Sequence, residues 1–350
     1  MTSDRPYEFD SVRPSVGDVD QCRYSLWSVF FPDHVVPAVT IRPLPPAFIE
    51  YLLSDTIKLP GSHQPIVATS DNEYSDWEQS DDDTTASDNG AVANGAVQDV
   101  TAAFAAMHGQ VVAAIRDLGP VFPKMNWSAP KDAKWMLPNN VLQCHDASDV
   151  YLVLNASSHI VHDVEHAYAE TGEDKQPDDF ELVLRQWTQM NPALEFRMFV
   201  FRGRIIGVSQ RDPNYYDYLA NLEPRLRLQI DQFFATVFRP SHFPLDTCVL
   251  DVYIPRPFDK TWLVDINPFS RAADPLLFTW NELLTRSRDA SRDSLDSYEL
   301  RLIRENNIHR SAAKDHSENQ VPLDVIGAAH DTEAMVELAR AWNQPQNQPE

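Results

Sequence analysis

The sequence feature that most constrains the fold is a pair of apolar, strand-like segments that carry carboxylates. Residues 249–254 read Val-Leu-Asp-Val-Tyr-Ile, residues 262–268 read Trp-Leu-Val-Asp-Ile-Asn-Pro, and the prolines between them favour a hairpin turn. Alternate residues of a strand share a face, so Asp265 and Asn267 point the same way. If the last residue of the first segment pairs with the first residue of the second, Asp251 lies directly opposite Asp265.

Two opposed carboxylates destabilise an apolar ribbon unless a cation lies between them. A hard divalent cation satisfies this arrangement, because carboxylate and amide oxygens are its preferred ligands and nucleotide phosphates complete its shell. Asp251, Asp265 and Asn267 are therefore candidate metal ligands. The alternative is a solvated outer face of the sheet, on which acidic residues repel one another a little and bind nothing.

The overall composition restricts what such a site binds. The chain has 29 Lys and Arg against 52 Asp and Glu, a formal charge of −23, which repels nucleic-acid phosphates and anionic lipids. Only 10 residues are glycine, and neither G-x-G-x-x-G nor G-x-x-x-x-G-K-[ST] occurs. We therefore expect no nucleic-acid or membrane partner, and a bound nucleotide must be held by side chains.

Other general features predict a protein of the cytoplasm. Three widely spaced cysteines without a C-x-x-C pair fit a reducing compartment better than a disulfide scaffold. The first residues lack the apolar stretch of a secretory signal, and no apolar run approaches the roughly 18 residues that span a bilayer. We expect a soluble, cytoplasmic monomer.

A second candidate cluster lies in residues 122–131, Phe-Pro-Lys-Met-Asn-Trp-Ser-Ala-Pro-Lys. Lys124 follows a strand-like pair in a chain whose lysines are scarce, and an ammonium group there is suited to grip phosphate oxygens. Asn126 and Ser128 offer further hydrogen bonds. The alternative is an ordinary surface loop.

Arginines within or beside apolar strands form the third candidate cluster. Arg185 and Arg197 are embedded in apolar segments, where an unpaired guanidinium is costly, and Arg211 lies at a strand end. Each must meet a carboxylate or a phosphate. Internal salt bridges to Glu181 or Glu195 and contacts with phosphate are equally favoured alternatives. Together the three clusters indicate a site for a polyanion and a metal, which describes a nucleotide site without a glycine-rich loop.

Changes in composition divide the chain into five parts. We predict a disordered lead (1–20), the N-terminal part of the fold (21–69), an acidic disordered insertion (70–96), a core (97–300) and a charged C-terminal tail with a short helix (301–350). The insertion is acidic and Ser/Thr-rich, and it has too few apolar residues to offset the entropy of ordering. It is either a plain solvated linker or a phosphorylation or partner-docking segment.

Periodicity predicts interleaved strands and helices in the core. Helical spacing extends over 97–118 and 222–238, and a further helix is expected at 276–284. The strand-like runs are 121–122, 133–137, 150–154, 181–187, 195–201, 204–210, 247–254 and 261–266. Several consecutive strands have the spacing of hairpins, so we predict an α+β fold with largely antiparallel sheets rather than a doubly wound fold.

Several of these segments resemble the cell division cycle protein 123 family, over about residues 24–284 apart from the acidic insertion. The matching motifs are 122–133, 181–187, 195–197, 207–212, 264–269 and 276–280. The resemblance implies an ATP-grasp fold, in which two α+β lobes with mainly antiparallel sheets hold a nucleotide in the cleft between them. It also implies a eukaryotic assembly factor that binds the gamma subunit of translation initiation factor 2 and promotes formation of the heterotrimer and translation initiation.

The resemblance also assigns roles to residues of this sequence. Lys124 matches a phosphate-gripping position, Arg197 and Arg211 are expected to face phosphates, and residues 185–187 match a hinge that lines the adenine. The carboxylate–amide set matches the ligands of Mg²⁺. The expected ATP-binding residues are Lys124, Asn126, Ser128, Arg185, Gln186, Trp187, Arg197, Arg211, Asp251, Asp265 and Asn267.

Three classes of function are compatible with this set. The first is an assembly chaperone that binds Mg-ATP. The second is an ATP-grasp ligase that forms an acylphosphate, which requires a pocket for a substrate carboxylate and turnover of ATP. The third is a binding module without catalysis. No residue is assigned a catalytic role.

Overall fold

Within the residues that the structure describes, a three-stranded and a five-stranded sheet form the framework of the fold. The computed structural model describes residues 13–54, 59–60, 100–289 and 298–305. The helices are α1 (Val16–Gln21), α2 (Tyr24–Trp27), α3 (Pro46–Leu52), α4 (Ala105–Leu118), α5 (Ala147–Asn155), α6 (Ser158–Glu165), α7 (Leu219–Phe233) and α8 (Trp280–Asp289). The strands are β1 (Ala38–Ile41), β2 (Val121–Lys124), β3 (Leu182–Gln186), β4 (Glu195–Phe201), β5 (Arg204–Gln210), β6 (Cys248–Tyr253), β7 (Trp262–Pro268) and β8 (Glu299–Arg301).

The first lobe is built on the sheet β1-β3-β2, in which both pairs are antiparallel. Helices α3, α4 and α5 pack on this sheet through a core that includes Phe48, Val111, Val150 and Leu184, all inaccessible to solvent. Burial of each such side chain contributes roughly 1.5–3 kcal/mol, so the core holds β2 and β3 firmly in place. These two strands carry the lysine and the arginine predicted to bind the nucleotide.

The second lobe is built on the sheet β7-β6-β4-β5-β8, in which the β5/β8 pair is parallel and the others are antiparallel. Both faces of this sheet are covered. Met198 and Leu250 pack on one side in a core with residues of α2 and α7, while Phe199 and Val249 pack on the other side with α8. Alternate residues of β4 and β6 are therefore buried toward opposite faces.

The predicted α+β class with two lobes and mainly antiparallel sheets is thereby confirmed. The strand-like runs that correspond to β3, β4, β5, β6 and β7 are those at 181–187, 195–201, 204–210, 247–254 and 261–266. The helical spacing at 222–238 corresponds to α7 and to the π-helical turn Phe234–Phe238 that continues it.

Two predicted strands are wrong. Residues 150–154 lie in α5, which begins after Asp146, whose side chain accepts a hydrogen bond from the backbone N–H of Asp149 at 3.0 Å. Residues 133–137 lie largely in a 3₁₀ helix, Lys131–Met136. Short apolar runs satisfy both helical and strand patterns. In α5 the capping residue Asp146 favours the helix, whereas the 3₁₀ helix has no side-chain cap.

The end of the predicted disordered lead is also wrong, because residues 16–20 belong to α1. A capping box between Ser15 and Asp18 starts this helix, and Val16 and Val19 are buried beside Tyr168. Residues 1–12, the acidic insertion and residues 306–350 with the predicted terminal helix lie outside the described residues. No helix in the described ranges is long and apolar enough to cross a membrane.

Candidate functional site

Charged side chains form a cross-strand row on the second sheet. Arg197 of β4 lies opposite Asp251 of β6, and Asp251 lies opposite Asp265 of β7. The predicted register thus holds at the carboxylates, although a bulge beyond Asp251 shifts the pairing so that Tyr253, rather than the residue after it, faces Trp262. Three neighbouring strands therefore bring their charged residues together.

Asp251 is buried and surrounded by arginines. Arg197 donates from Nε and Nη2 to the two carboxylate oxygens of Asp251 at 2.7 and 2.8 Å, and Nε of Arg211 lies 3.4 Å from Oδ2. Burial alone would raise the pKa of Asp251, but the guanidinium groups outweigh it and hold this pKa well below its usual range. Arg197 thus forms an internal salt bridge with Asp251 and not with Glu195, whose carboxylate lies 3.3 Å from Nη1 of Arg211.

An ion pair links the two lobes at the end of this row. Nζ of Lys124, the last residue of β2, donates to Oδ2 of Asp265 at 2.8 Å and to the carbonyl oxygen of Trp127. Lys124 is only 1% exposed, whereas the side chain of Asp265 keeps 21% of its accessible surface. The residue predicted to bind phosphate and a residue predicted to bind the cation therefore meet at one point, one from each lobe.

Asn126 and Ser128 use their side chains to shape the turn after β2. Asn126 is fully buried, its Nδ2 donates to the carbonyl oxygen of Asp179 at 2.9 Å, and its Oδ1 accepts from the N–H of Glu181 at 2.8 Å. Oγ of Ser128 donates to Asp163 at 2.6 Å. These hydrogen bonds are made within the first lobe, so the observed role of both side chains is to fix the turn next to Lys124, and their contact with a nucleotide stays a prediction.

The predicted hinge, residues 185–187, lies where β3 leaves the first sheet. Nη1 of Arg185 donates to a carbonyl oxygen of β7 at 2.9 Å, its guanidinium lies 5.6 Å from the centre of the Tyr24 ring, and its buried Nε has no acceptor among the described residues. The backbone N–H groups of Gln186 and Trp187 donate to carbonyl oxygens of the first lobe. Arg185 therefore bridges the lobes, and the adenine contact stays a prediction.

Lys131 also faces the charged row, although no sequence pattern singles it out. Its ammonium is repelled by Arg211 and attracted by carboxylates of the second lobe, chiefly Asp251 and Asp265. Repulsion from Arg211, together with loss of hydration, lowers the pKa of Lys131 to about 8, while the side chain keeps access to solvent. Its direction depends on the 3₁₀ helix that it begins, whose later residues belong to the strand predicted at 133–137.

Asp163 of α6 is the second residue that the sequence patterns missed. It is 3% exposed, and burial raises its pKa in spite of hydrogen bonds from Trp127 and Ser128. Its position three residues after Ile160 and one before Val164 places it on the buried face of the helix. A carboxylate within such an apolar stripe is the signal that identifies it.

The predicted metal ligands have the chemistry that a hard cation such as Mg²⁺ prefers. The amide nitrogen of Asn267 is buried without a hydrogen-bond partner among the described residues, and Oδ1 of Asp265 accepts from the backbone N–H of Ile266 at 3.0 Å. In the described ranges no group of three or more His, Cys, Asp or Glu side chains is placed to hold a metal. The assignment of Asp251, Asp265 and Asn267 as metal ligands stays a prediction.

Comparisons with known proteins agree with this architecture. Residues 27–329 match the family model described as D123. The translation initiation factor eIF2 assembly protein of Vanderwaltozyma polyspora and the cell division cycle protein 123 of Candida glabrata are each 47% identical over 336 residues, covering 93% of this chain and 91% of the relative. The structure of Cdc123 from Schizosaccharomyces pombe is 30% identical with a TM-score of 0.63, covering 83% of this chain and 99% of that one. The chain therefore belongs to the cell division cycle protein 123 (D123) family, as its motifs predicted.

Proposed function

We propose that this chain is a cytoplasmic assembly factor that binds ATP and Mg²⁺, binds the gamma subunit of eukaryotic translation initiation factor 2 and promotes formation of the heterotrimer. Relatives named as eIF2 assembly proteins support the assembly role. The observation that carries nucleotide binding is the charged row, in which Arg197, Asp251 and Asp265 adjoin Lys124 of the other lobe. Apolar residues of similar volume often stabilise a fold as well as buried ion pairs do, which favours a ligand as the reason for this row.

Each charged group in this site has a part that suits its chemistry. Lys124 and Lys131 offer ammonium groups to phosphate oxygens, and the planar guanidinium of Arg211 offers paired donors. Two of these cations are paired with carboxylates, Arg211 with Asp251 and Lys124 with Asp265. Bound Mg²⁺ supplies the positive charge that lets carboxylates and phosphates share one site.

Because the charged row lies between the lobes, nucleotide binding there can influence the binding of the gamma subunit. Lys124 and Arg185 already connect β2 and β3 of the first lobe with β7 of the second. A nucleotide held by groups from both lobes would fix their relative orientation, in the manner of an ATP-grasp fold. The surface offered to the gamma subunit would thereby depend on the nucleotide.

Titration calorimetry with Mg-ATP and capture of the isolated gamma subunit test this proposal together. We expect wild-type protein to bind Mg-ATP and to capture the gamma subunit, and Arg211→Met to bind Mg-ATP about tenfold more weakly. Arg202→Met is the matched control, because Arg202 is exposed just beyond the end of β4 and outside the row. Absence of Mg-ATP binding by wild type, or an equal loss in both variants, contradicts the assignment of the site.

An assay of ATP turnover separates the assembly factor from the ligase alternative. Protein is incubated with Mg-ATP, with and without the gamma subunit, and both ADP and covalent amide products are measured. The assembly role predicts no product with a new amide bond. Formation of such a product in proportion to ADP would replace the proposal with a ligase.

A further inference from the structure

A buried carboxylate lies beneath the turn that follows β2. Oδ2 of Asp163 accepts from the backbone N–H groups of Trp127 and Ser128 at 3.1 and 2.7 Å, and Oδ1 accepts from Oγ of Ser128 at 2.6 Å. Both oxygens of this carboxylate are therefore occupied by donors of a single turn.

None of these bonds serves the helix that carries the carboxylate. Helix α6 is capped at its start by Ser157, whose side chain accepts from the N–H of Ile160 at 3.4 Å, while Asp163 lies near the end of the helix. Burying a carboxylate among neutral donors costs free energy. An apolar residue at this position of α6 would pack equally well without that cost. The contacts of Asp163 are thus explained by the turn and not by α6.

The same turn holds the ammonium group of Lys124. Trp127 donates its N–H to Asp163 and accepts from Nζ of Lys124 through its carbonyl oxygen, so residue 127 connects the two side chains. The carboxylate also attracts Lys124 electrostatically. We propose that Asp163 is a positioning residue that holds the Lys124 ammonium, through the Trp127 carbonyl, in the place where it binds nucleotide phosphate; this inference rests on the proposed function.

Variants at position 163 distinguish positioning from a general loss of stability. In Asp163→Ala the turn loses its acceptors, and we expect Mg-ATP, titrated calorimetrically, to bind about tenfold more weakly. Asp163→Asn is the conservative variant, because its amide oxygen accepts from both N–H groups and its NH₂ can donate to Ser128; it should recover most of the affinity. An asparagine variant no better than alanine overturns positioning by hydrogen bonds.

A double-mutant cycle with Lys124→Met tests whether Asp163 acts through the lysine. If it does, Asp163→Ala weakens Mg-ATP binding in the wild-type background and has no further effect when Lys124 is already replaced. An equal loss in both backgrounds overturns the inference. Asp146→Ala is the control, because it removes the N-cap of α5 in the same lobe and should lower stability without changing affinity.

Two further measurements keep the test decisive. Should Asp163→Ala fail to fold, Asp163→Leu fills the buried space with an apolar side chain, removes the same acceptors from the turn and should weaken binding about tenfold. In protein without nucleotide, hydrogen exchange at the Trp127 and Ser128 amides should accelerate in Asp163→Ala and not in Asp163→Asn. If wild type binds no Mg-ATP, the proposed function fails and this inference with it; if wild type binds and Asp163→Ala binds equally well, only the inference fails.

Discussion

Asp251 and Asp163 are both buried carboxylates, exposed by 4% and 3%, yet their surroundings differ in kind. Asp251, on the second sheet, is paired with guanidinium groups that lower its pKa. Asp163, in the first lobe, accepts hydrogen bonds from neutral groups, and burial raises its pKa. Depth alone therefore does not decide the charge state of a buried carboxylate, because the charge of its partners does.

This difference also separates two kinds of function. A carboxylate neutralised by arginines or a lysine can exchange those partners with a charged ligand, so Asp251 and Asp265 are suited to a site for Mg²⁺ and phosphate. A carboxylate held by neutral N–H groups has nothing to offer an anion, so Asp163 is suited to support a turn.

The largest expected effect is on the free energy of unfolding. Asp251→Ala leaves the buried guanidinium of Arg197 without its carboxylate, which should cost about 3–5 kcal/mol, whereas Asp163→Ala leaves neutral donors unpaired at about 1–3 kcal/mol. Urea unfolding at pH 7 measures both. Asp146→Ala removes only the N-cap of α5 and should lower the free energy of unfolding by about 1 kcal/mol, which provides a reference for the other two losses. Equal losses at positions 251 and 163 would remove the distinction between charged and neutral partners.

The next effect is on binding of Mg-ATP. Asp265→Ala removes a predicted cation ligand and should weaken Mg-ATP binding about 10- to 100-fold in calorimetry. With EDTA present, the variant should bind ATP at least as well as wild type, because Lys124 is released from its ion pair. Asp259→Ala, an exposed carboxylate in the connection between β6 and β7, is the control. A loss that is the same with and without Mg²⁺ contradicts the metal assignment.

The opposed carboxylates were predictable from sequence because strand pairing obeys a simple rule. Side chains alternate with a period of two, so a hairpin between two apolar segments aligns Asp251 with Asp265. The bulge seen beyond Asp251 corrects the register at the turn and leaves the carboxylates in place. Residues on paired strands are therefore the part of the site that a sequence specifies best.

Residues in turns were not predictable to the same degree. Asn126 and Ser128 have the polar groups expected of nucleotide contacts, but their partners are a carbonyl group and a carboxylate 53 and 35 residues away. Contacts between residues so far apart in the sequence leave no short-range pattern from which they could be predicted. Lys131 was not predicted either. It lies just before the run 133–137, for which a strand was predicted, and its direction depends on the 3₁₀ helix Lys131–Met136 that forms there instead.

A smaller effect, on the pH dependence of binding, concerns Lys131. Its pKa of about 8 reflects repulsion by Arg211, and phosphates would favour the protonated lysine. Affinity for Mg-ATP should therefore fall as the pH rises above 8, approaching tenfold per pH unit, and binding near pH 8 should take up protons. Lys131→Met should bind more weakly at pH 7 and lose this pH dependence, which calorimetry in two buffers checks. The pH dependence should persist in Lys134→Met.

The smallest expected effect is on stability in acid, and its sign differs between the two carboxylates. The pKa of Asp251 is lowered on folding, so its contribution is complete above about pH 4, its unfolded value, and is lost as the pH falls below it. The pKa of Asp163 is raised on folding. As the pH falls toward 4, Asp163 is therefore protonated in the folded protein before it is protonated in the unfolded chain, and this stabilises the fold. Asp251→Asn should flatten the acid loss of stability, and Asp163→Asn should steepen it.

Urea unfolding from pH 3 to 6 measures these slopes, which differ from wild type by at most about 1.4 kcal/mol per pH unit for one proton. Burial lowers the pKa of His162, the neighbour of Asp163, and so this histidine acts with the opposite sign. The Asp163→Asn comparison is therefore made in a His162→Gln background. If both asparagine variants change the slope in the same direction, the surroundings of the two carboxylates are alike, and the distinction between a ligand site and a supported turn is lost.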